Sequence, residues 1–431
     1  MKTNSGALSL QQAPPISVPF RFFLSAPLFL LAAALLLLLV GPQAVASRWT
    51  PAMLALTHLF TLGFLTMNML GALMQMLPVI ADFPVSRPVL ISWLVHVPLT
   101  AGTAMLTAGL FFSQSGLLDI AIILLGFAFA VFLGSTAYGF SARVRNDTTR
   151  AIHLAGIALA LTAVIGIALA ATLTGYVRIS IRQFLPLHVV WGLPGWIGLL
   201  VIGVAYQVVP MFQLTSAYPR RLVRWLAAAI FFLLIAVSLA SLLPFIIQAS
   251  WVNMFAQTGV AAAYAVFAVA TMHLQQKRRR KTGDVTLQFW RIGMVSLVGA
   301  AMLSTAAQGL SDISADPRYP IALGVLFMVG FAVSVISGML YKIVPFLVWF
   351  HLNAQAKAGR SVPNMKQIIP DRAARRHMQT HLAALLLLLS SLEAPLLIYP
   401  AALMLGLASC LLWLNLFVAM RLYFELYAPI K

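Results

Sequence analysis

One spaced pattern occurs three times in this chain: Gly, Gly eight residues on, Gln or Lys four further, Pro three beyond that. The copies are Gly63, Gly71, Gln75, Pro78; Gly195, Gly203, Gln207, Pro210; and Gly330, Gly338, Lys342, Pro345. They start 132 and 135 residues apart, and the residue before the Gln or Lys is Met74, Tyr206 or Tyr341. Self-similarity at a fixed long period organises a fold, so any architecture for this chain must accommodate three equivalent units.

The solvent follows from composition: 61% of the residues are hydrophobic and 9% charged across 431 positions. A chain of this kind is an integral membrane protein. Apolar runs long enough for a bilayer core, at about 20 residues each, occur near 20–40, 51–78, 88–111, 117–140, 150–174, 184–212, 222–244, 251–273, 288–310, 319–350, 376–393 and 396–420. The expected fold class is therefore all-α, with twelve transmembrane helices in three pseudo-symmetric four-helix units. The repeats span roughly 20–140, 150–273 and 288–420 of a single transmembrane domain. The pattern falls on helices 2, 6 and 10, which are expected to be innermost. A polar loop at 353–376 carries Gly359, Pro363 and Pro370.

Lys and Arg accumulate on cytoplasmic loops of membrane proteins. An inside N-terminus puts 23 of the 28 basic residues on cytoplasmic segments, including Arg143, Arg145, Arg150, the run Lys277–Lys281, Arg372, Arg375 and Arg376. Only Arg48, Arg178, Arg182 and Arg318 fall outside, and Lys342 lies within a helix. Both termini are expected in the cytoplasm, with the chain in a bacterial inner membrane. The net charge of +19 then reports topology next to an anionic lipid leaflet rather than nucleic-acid binding. The apolar run after Pro19 exceeds a signal-peptide core and reads as the first span.

The single cysteine, Cys410, excludes an intramolecular disulfide, a cysteine-held iron–sulfur cluster and covalent haem attachment. Phosphate-binding loop, HExxH and G-x-S-x-G patterns are absent. Chemistry rests mainly on eight histidines. His153, His273, His351, His377 and His381 lie near helix ends, where water, headgroups or the helix dipole account for them. His96 reads as a hydrogen-bonded packing residue. His58 and His188 differ, because each stands on a repeat-bearing helix, 20 and 22 residues before the repeat proline. Imidazole binds haem iron and copper, and an intramembrane imidazole needs a partner. Their registers differ by two residues, about 200° on a regular helix, so convergence requires distortion near Gly192, Pro194 and Gly195.

Two further groups have alternative readings. Tyr206, Gln207, Tyr341 and Lys342 are expected to gather at one level of the inner helices, binding water or a haem propionate, or snorkelling to the interface. Met67, Met69, Met74 and Met76 share faces of helix 2, as copper ligands or as core.

With His58-x4-Gly63-Phe64-x6-Gly71-x6-Pro78 in view, the chain resembles the haem–copper oxidase subunit I superfamily, including nitric oxide reductases and NnrS-type haem and copper membrane proteins. The resemblance covers architecture across the chain and this one local motif. It implies haem b, or copper, held by His58 with His188 as a second ligand, a redox or nitric-oxide- or oxygen-related role, and an electron-donor protein or subunit as partner. The chain departs from the family in lacking a His-x-His on helix 10 and adjacent histidines on helix 7, so a complete binuclear centre is not expected. The alternative function is a transporter for a small solute or copper, although three parallel units fit the usual inverted repeats poorly.

Overall fold

A computed structural model of the chain describes residues 13–80, 85–142, 147–242, 250–278, 283–355 and 362–427. Arg143, Arg145 and the basic residues 279–281 lie outside the described residues, as do 356–361 of the polar loop. All regular structure in the described residues is helical. The helices are α1 (Ser17–Val40), α2 (Pro51–His58), α3 (Met67–Ile80), α4 (Pro88–Phe112), α5 (Ser115–Ala142), α6 (Asp147–Leu173), α7 (Ile181–Val190), α8 (Leu199–Gln213), α9 (Arg220–Leu242) and α10 (Ser250–Gln276). They continue as α11 (Val285–Gly309), α12 (Ser311–Ala315), α13 (Tyr319–Gly324), α14 (Ser334–Gln355), α15 (Met365–Ile368), α16 (Asp371–Ser390) and α17 (Ile398–Tyr427). Among the described residues, eleven helical stretches are long and apolar enough to cross a membrane. The expected span near 376–393 corresponds to α16, which is helical but not among the eleven. Its first half carries Arg372, Arg375, Arg376, His377, Gln379 and His381, which lower its hydropathy.

The three pattern-bearing spans share an unexpected feature. Each changes from α- to π-helix around its first glycine: π1 is Leu59–Thr66, π2 is Trp191–Gly198 and π3 is Val325–Val333. A π-turn bonds i to i+5, is rare, and concentrates at functional sites. Here it recurs at one register in all three copies, with Gly63, Gly195 and Gly330 inside it. π3 packs against both π1 and π2, and the Trp196 indole N–H donates to Thr66 Oγ1 at 3.0 Å, joining π2 to the end of π1. The most apolar windows of these three spans are 67%, 61% and 67% buried within the protein, against 22–44% for the other eight. Outward side chains such as Leu39, Ile123, Phe232 and Met302 are exposed and apolar, as a lipid-facing surface requires.

The same contacts recur around the molecule. α5 packs on α6, α10 on α11, and α17 returns to α1. α1, α6 and α11 each pack against the pattern-bearing span that follows them. Lipid is as apolar as these surfaces, so helix association depends on close fit, and the repeat glycines supply it. A Cβ on Gly71 would lie 2.7 Å from Phe22 Cβ, one on Gly203 2.9 Å from Ala151 Cβ, and one on Gly338 2.7 Å from Phe289 Cβ. The earlier glycines face the same helices two turns on: Gly63 meets Phe29, Gly195 meets Ala158 and Gly330 meets Ser296. The repeat is thus a contact code between each pattern-bearing span and the helix before it, α1, α6 or α11. Met67, Met69 and Met74 lie buried in the core, and Met76 packs against it.

Candidate functional site

His58 ends α2, immediately before π1, and His188 lies on α7, three residues before π2. α2 is set by Pro51 at its first turn and by Thr50, whose side chain accepts the Met53 N–H at 3.1 Å. The two imidazoles meet with ring centres 6.3 Å apart and planes inclined by 29°. Their two-residue difference in register does not separate them. Neighbours related by rotation touch through different faces, so equal register is not required for contact.

Hydrogen bonds fix both rings in the same tautomer. His58 Nδ1 lies 2.8 Å from the Leu54 carbonyl oxygen, and His188 Nδ1 lies 3.1 Å from that of Thr162. A carbonyl only accepts, so each Nδ1 carries the hydrogen and each Nε2 keeps a lone pair. This is the outer-shell arrangement of metal-ligating histidines, whose second nitrogen donates to a carbonyl or carboxylate. Two imidazoles sharing one metal, at about 2.0–2.1 Å per bond, hold their ring centres roughly 6 Å apart. The His188 ring fits because Gly166 on α6 has no side chain: a Cβ there would lie 2.7 Å from His188 Cε1. Both rings are partly exposed. Among the described residues, no three His, Cys, Asp or Glu side chains come together as a metal-binding group. The pair is a two-donor set, complete only with a group that brings further donors of its own, as a porphyrin does. On donor chemistry and spacing the residues fit a haem.

The other histidines divide differently from the sequence expectation. His96 bonds Ser25 Oγ through Nε2 at 2.7 Å, a packing contact. His351 has both ring nitrogens beside carbonyl oxygens, Leu347 at 2.9 Å and Pro14 at 3.3 Å, so backbone occupies the space that a metal would need at either nitrogen. His377 and His381, expected at a wet helix end, are only 2% and 1% exposed. α16 packs against α11, π3 and α17 along this stretch, which removes them from solvent. The i, i+4 spacing of two histidines was the available signal.

The expected gathering of Tyr206, Gln207, Tyr341 and Lys342 is not what holds these residues. Tyr206 stacks edge-on to Tyr218 at 5.5 Å, and its hydroxyl meets no partner among the described residues. Gln207 is partly buried. Tyr341 bonds His377 and Asn415. Lys342 forms an ion pair with Asp284, Nζ to Oδ2 at 2.8 Å; a carboxylate 58 positions away in the chain, at the N-cap of α11, takes the role assigned to water, propionate or headgroups. Burial raises the Asp284 pKa, but the Lys342 ammonium, the Leu287 N–H and the Arg278 charge outweigh it, leaving the carboxyl below its ordinary value.

A comparison with models of known protein families matches none of them, and a comparison with curated proteins finds no similar sequence.

Proposed function

We propose that this chain is a haem-binding membrane protein of the haem–copper oxidase type, built as a pseudo-threefold ring of three four-helix units with helices 2, 6 and 10 innermost. The basic loops and both termini face the cytoplasm in this reading, and α16 is its eleventh crossing. The observation that carries the function is the His58–His188 pair, with both Nδ1 hydrogens held by backbone carbonyls and both Nε2 lone pairs left for a ligand.

His58 and His188 would hold the haem from two thirds of the ring at once. The haem supplies one-electron redox or gas-binding chemistry. The chain's own part is to orient two neutral imidazoles, to keep them basic through carbonyl hydrogen bonds, and to restrict water with the apolar walls around π1 and π2. Among the described residues no further His, Cys, Asp or Glu joins the pair as a metal-binding group, so oxygen or nitric oxide turnover at a binuclear centre is not part of the proposal. The role is electron transfer or response to a diatomic gas, with an electron-donor protein as partner.

Absorption spectroscopy and metal analysis of purified protein test this. A Soret band with iron near one per chain supports it. Colourless protein after expression with haem supplied, or copper alone at the site, would sink the haem assignment, and uptake of a small solute or copper by such protein would establish the transporter reading instead.

A further inference from the structure

The buried histidines of the last third of the chain form a second polar system, separate from the His58–His188 pair. His377 and His381 lie one turn apart on α16 with ring centres 6.2 Å apart. His377 Nδ1 is 3.0 Å from the Tyr341 hydroxyl, which also receives the Asn415 side-chain N–H at 2.9 Å. His381 Nε2 is 2.7 Å from Ser334 Oγ, which in turn lies 3.4 Å from the Val329 carbonyl in π3. Phe289 of α11 covers both imidazoles, at 5.2 and 5.8 Å between ring centres. Ser337 sits between Ser334 and Tyr341 on α14. It is fully buried, and its hydroxyl has no hydrogen-bond partner among the described residues.

Packing does not call for these polar groups. The threefold pattern aligns Ser334 and Ser337 with Leu199 and Ile202 in the second copy, and with Met67 and Leu70 in the first. All six are 0% exposed. Two copies fill the sites with apolar side chains; the third places hydroxyls there, opposite two histidines. A buried hydroxyl without a partner is destabilising, and ionisable side chains inside a membrane domain mark function by default, proton relays included.

We propose that Tyr341, His377, His381 and Ser334, with Ser337 between them, form a proton relay along α14 and α16. It rises about 10 Å, the seven residues from Tyr341 to Ser334, from the end of the span near the Lys342–Asp284 ion pair to the inner end of π3. The proposal goes beyond the haem reading and does not depend on it.

The hydrogen bonds allow each ring to exchange its proton between nitrogens. The Tyr341 oxygen accepts from Asn415 and can either give its own proton to His377 Nδ1 or accept one from it. Ser334 can give its proton to His381 Nε2, or turn it to the Val329 carbonyl and accept from Nε2. Ser334 stays bonded in both states, whereas Tyr341, when it accepts from both Asn415 and His377, turns its own hydrogen away from both. Passage from His377 Nε2 to His381 Nδ1 runs through the Ser337 hydroxyl, which turns to accept from one ring as it gives its own hydrogen to the other, so both imidazoles and the serine are neutral before and after transfer.

Nitrogen-15 NMR of histidine-labelled full-length protein in lipid bilayers tests the relay, with the two signals assigned by their loss in His377→Gln and His381→Gln. A relay requires both neutral tautomers to be populated, the minor one at roughly 1% or more. Tyr341→Phe should cut the minor tautomer of His377 at least tenfold while keeping the ring against Phe289, and Ser334→Ala should do the same at His381. Exposed His273 should be unaffected by either change. A single fixed tautomer at both positions, or populations unmoved by both substitutions in variants that melt like the parent, would overturn the proposal and leave a static packing network.

Discussion

His58 and His188, 130 residues apart in the chain, face each other with ring centres 6.3 Å apart, and each donates its Nδ1 hydrogen to a backbone carbonyl. The His58 acceptor lies four residues back on its own helix, whereas the His188 acceptor is Thr162 on α6. The second ring is therefore oriented by tertiary structure. The proposed donor pair therefore draws on two different helices, and neither supplies both rings.

Removal of either proposed ligand should prevent haem from being held. In His58→Ala and His188→Ala, haem absorbance per protein should fall at least ~10-fold, since even outer-shell losses cost about 10–100-fold in affinity. His351→Ala should keep the parent spectrum, because both its nitrogens already face carbonyls. Loss of the Soret band in His351→Ala, or its persistence in both ligand variants, would contradict the assignment.

Gly166 offers a gentler probe. An added Cβ would stand 2.7 Å from His188 Cε1 and 3.2 Å from Nδ1, so the ring must turn off its Thr162 bond. Gly166→Ala should weaken haem retention by about 10–100-fold, as loss of an outer-shell partner does, while haem-free protein loses only the roughly 0.5–1.5 kcal/mol of one hydrogen bond, because the displaced atoms are the far end of a side chain that can turn. Unchanged retention would show that this ring orientation does not matter.

The repeat glycines should respond by their contacts. Gly338→Ala puts a Cβ 2.7 Å from Phe289 Cβ, and overpacking of this kind costs about 1–3 kcal/mol. Gly134→Ala on α5 meets nothing within 4 Å and should be neutral or stabilising by up to about 1 kcal/mol. Denaturant unfolding in detergent would compare them, and equal stability of the two variants would remove the contact code.

Much of this was legible in the chain. Glycines eight apart lie about two turns apart on a helix, so the sequence showed a repeated pattern, whereas the neighbours it presses on, Phe29 and Phe22 opposite Gly63 and Gly71, came only with the structure. His58 and His188 could be singled out by helix and depth, because both precede a repeat. Their meeting could not, since register on two helices says nothing about the rotation between them. The π-segments left no mark beyond glycine, because their hydrogen bonds are backbone. His377 and His381 were misjudged because nearness to a helix end says little about burial when α11 and α17 pack over that end. Lys342 was assigned to solvent for the same reason: Asp284, 58 positions away, is beside it only after α11 packs on α14.

Topology can be checked with single cysteines placed near Lys277 and at Asp316, in a background where Cys410, exposed in the structure, is replaced by Ala. A membrane-impermeant thiol reagent added to intact cells should label the Asp316 position and spare the basic loop. The opposite result would invert the proposed orientation and move the His58–His188 pair to the cytoplasmic half.

The Lys342–Asp284 pair makes a pH-dependent contribution whose sign follows from the carboxylate. The Asp284 pKa is lower in the folded protein than in the unfolded chain, so the pair stabilises fully above the unfolded carboxylate value, about 3.9, and that stabilisation is lost as pH falls through the lower folded value. Asp284→Asn isolates the charge, because Asn still caps α11 by accepting the Leu287 N–H that Asp284 now accepts at 2.9 Å. At pH 7 the variant leaves Lys342, 24% exposed, without its counter-charge, and should be less stable by on the order of 1–3 kcal/mol. Melting curves between pH 7 and the lowest pH at which the protein stays folded should show the gap between parent and variant constant at first, then closing below about pH 4. A gap that widened on acidification would mean that the carboxyl is protonated at neutral pH and that Lys342 holds it by a neutral hydrogen bond alone.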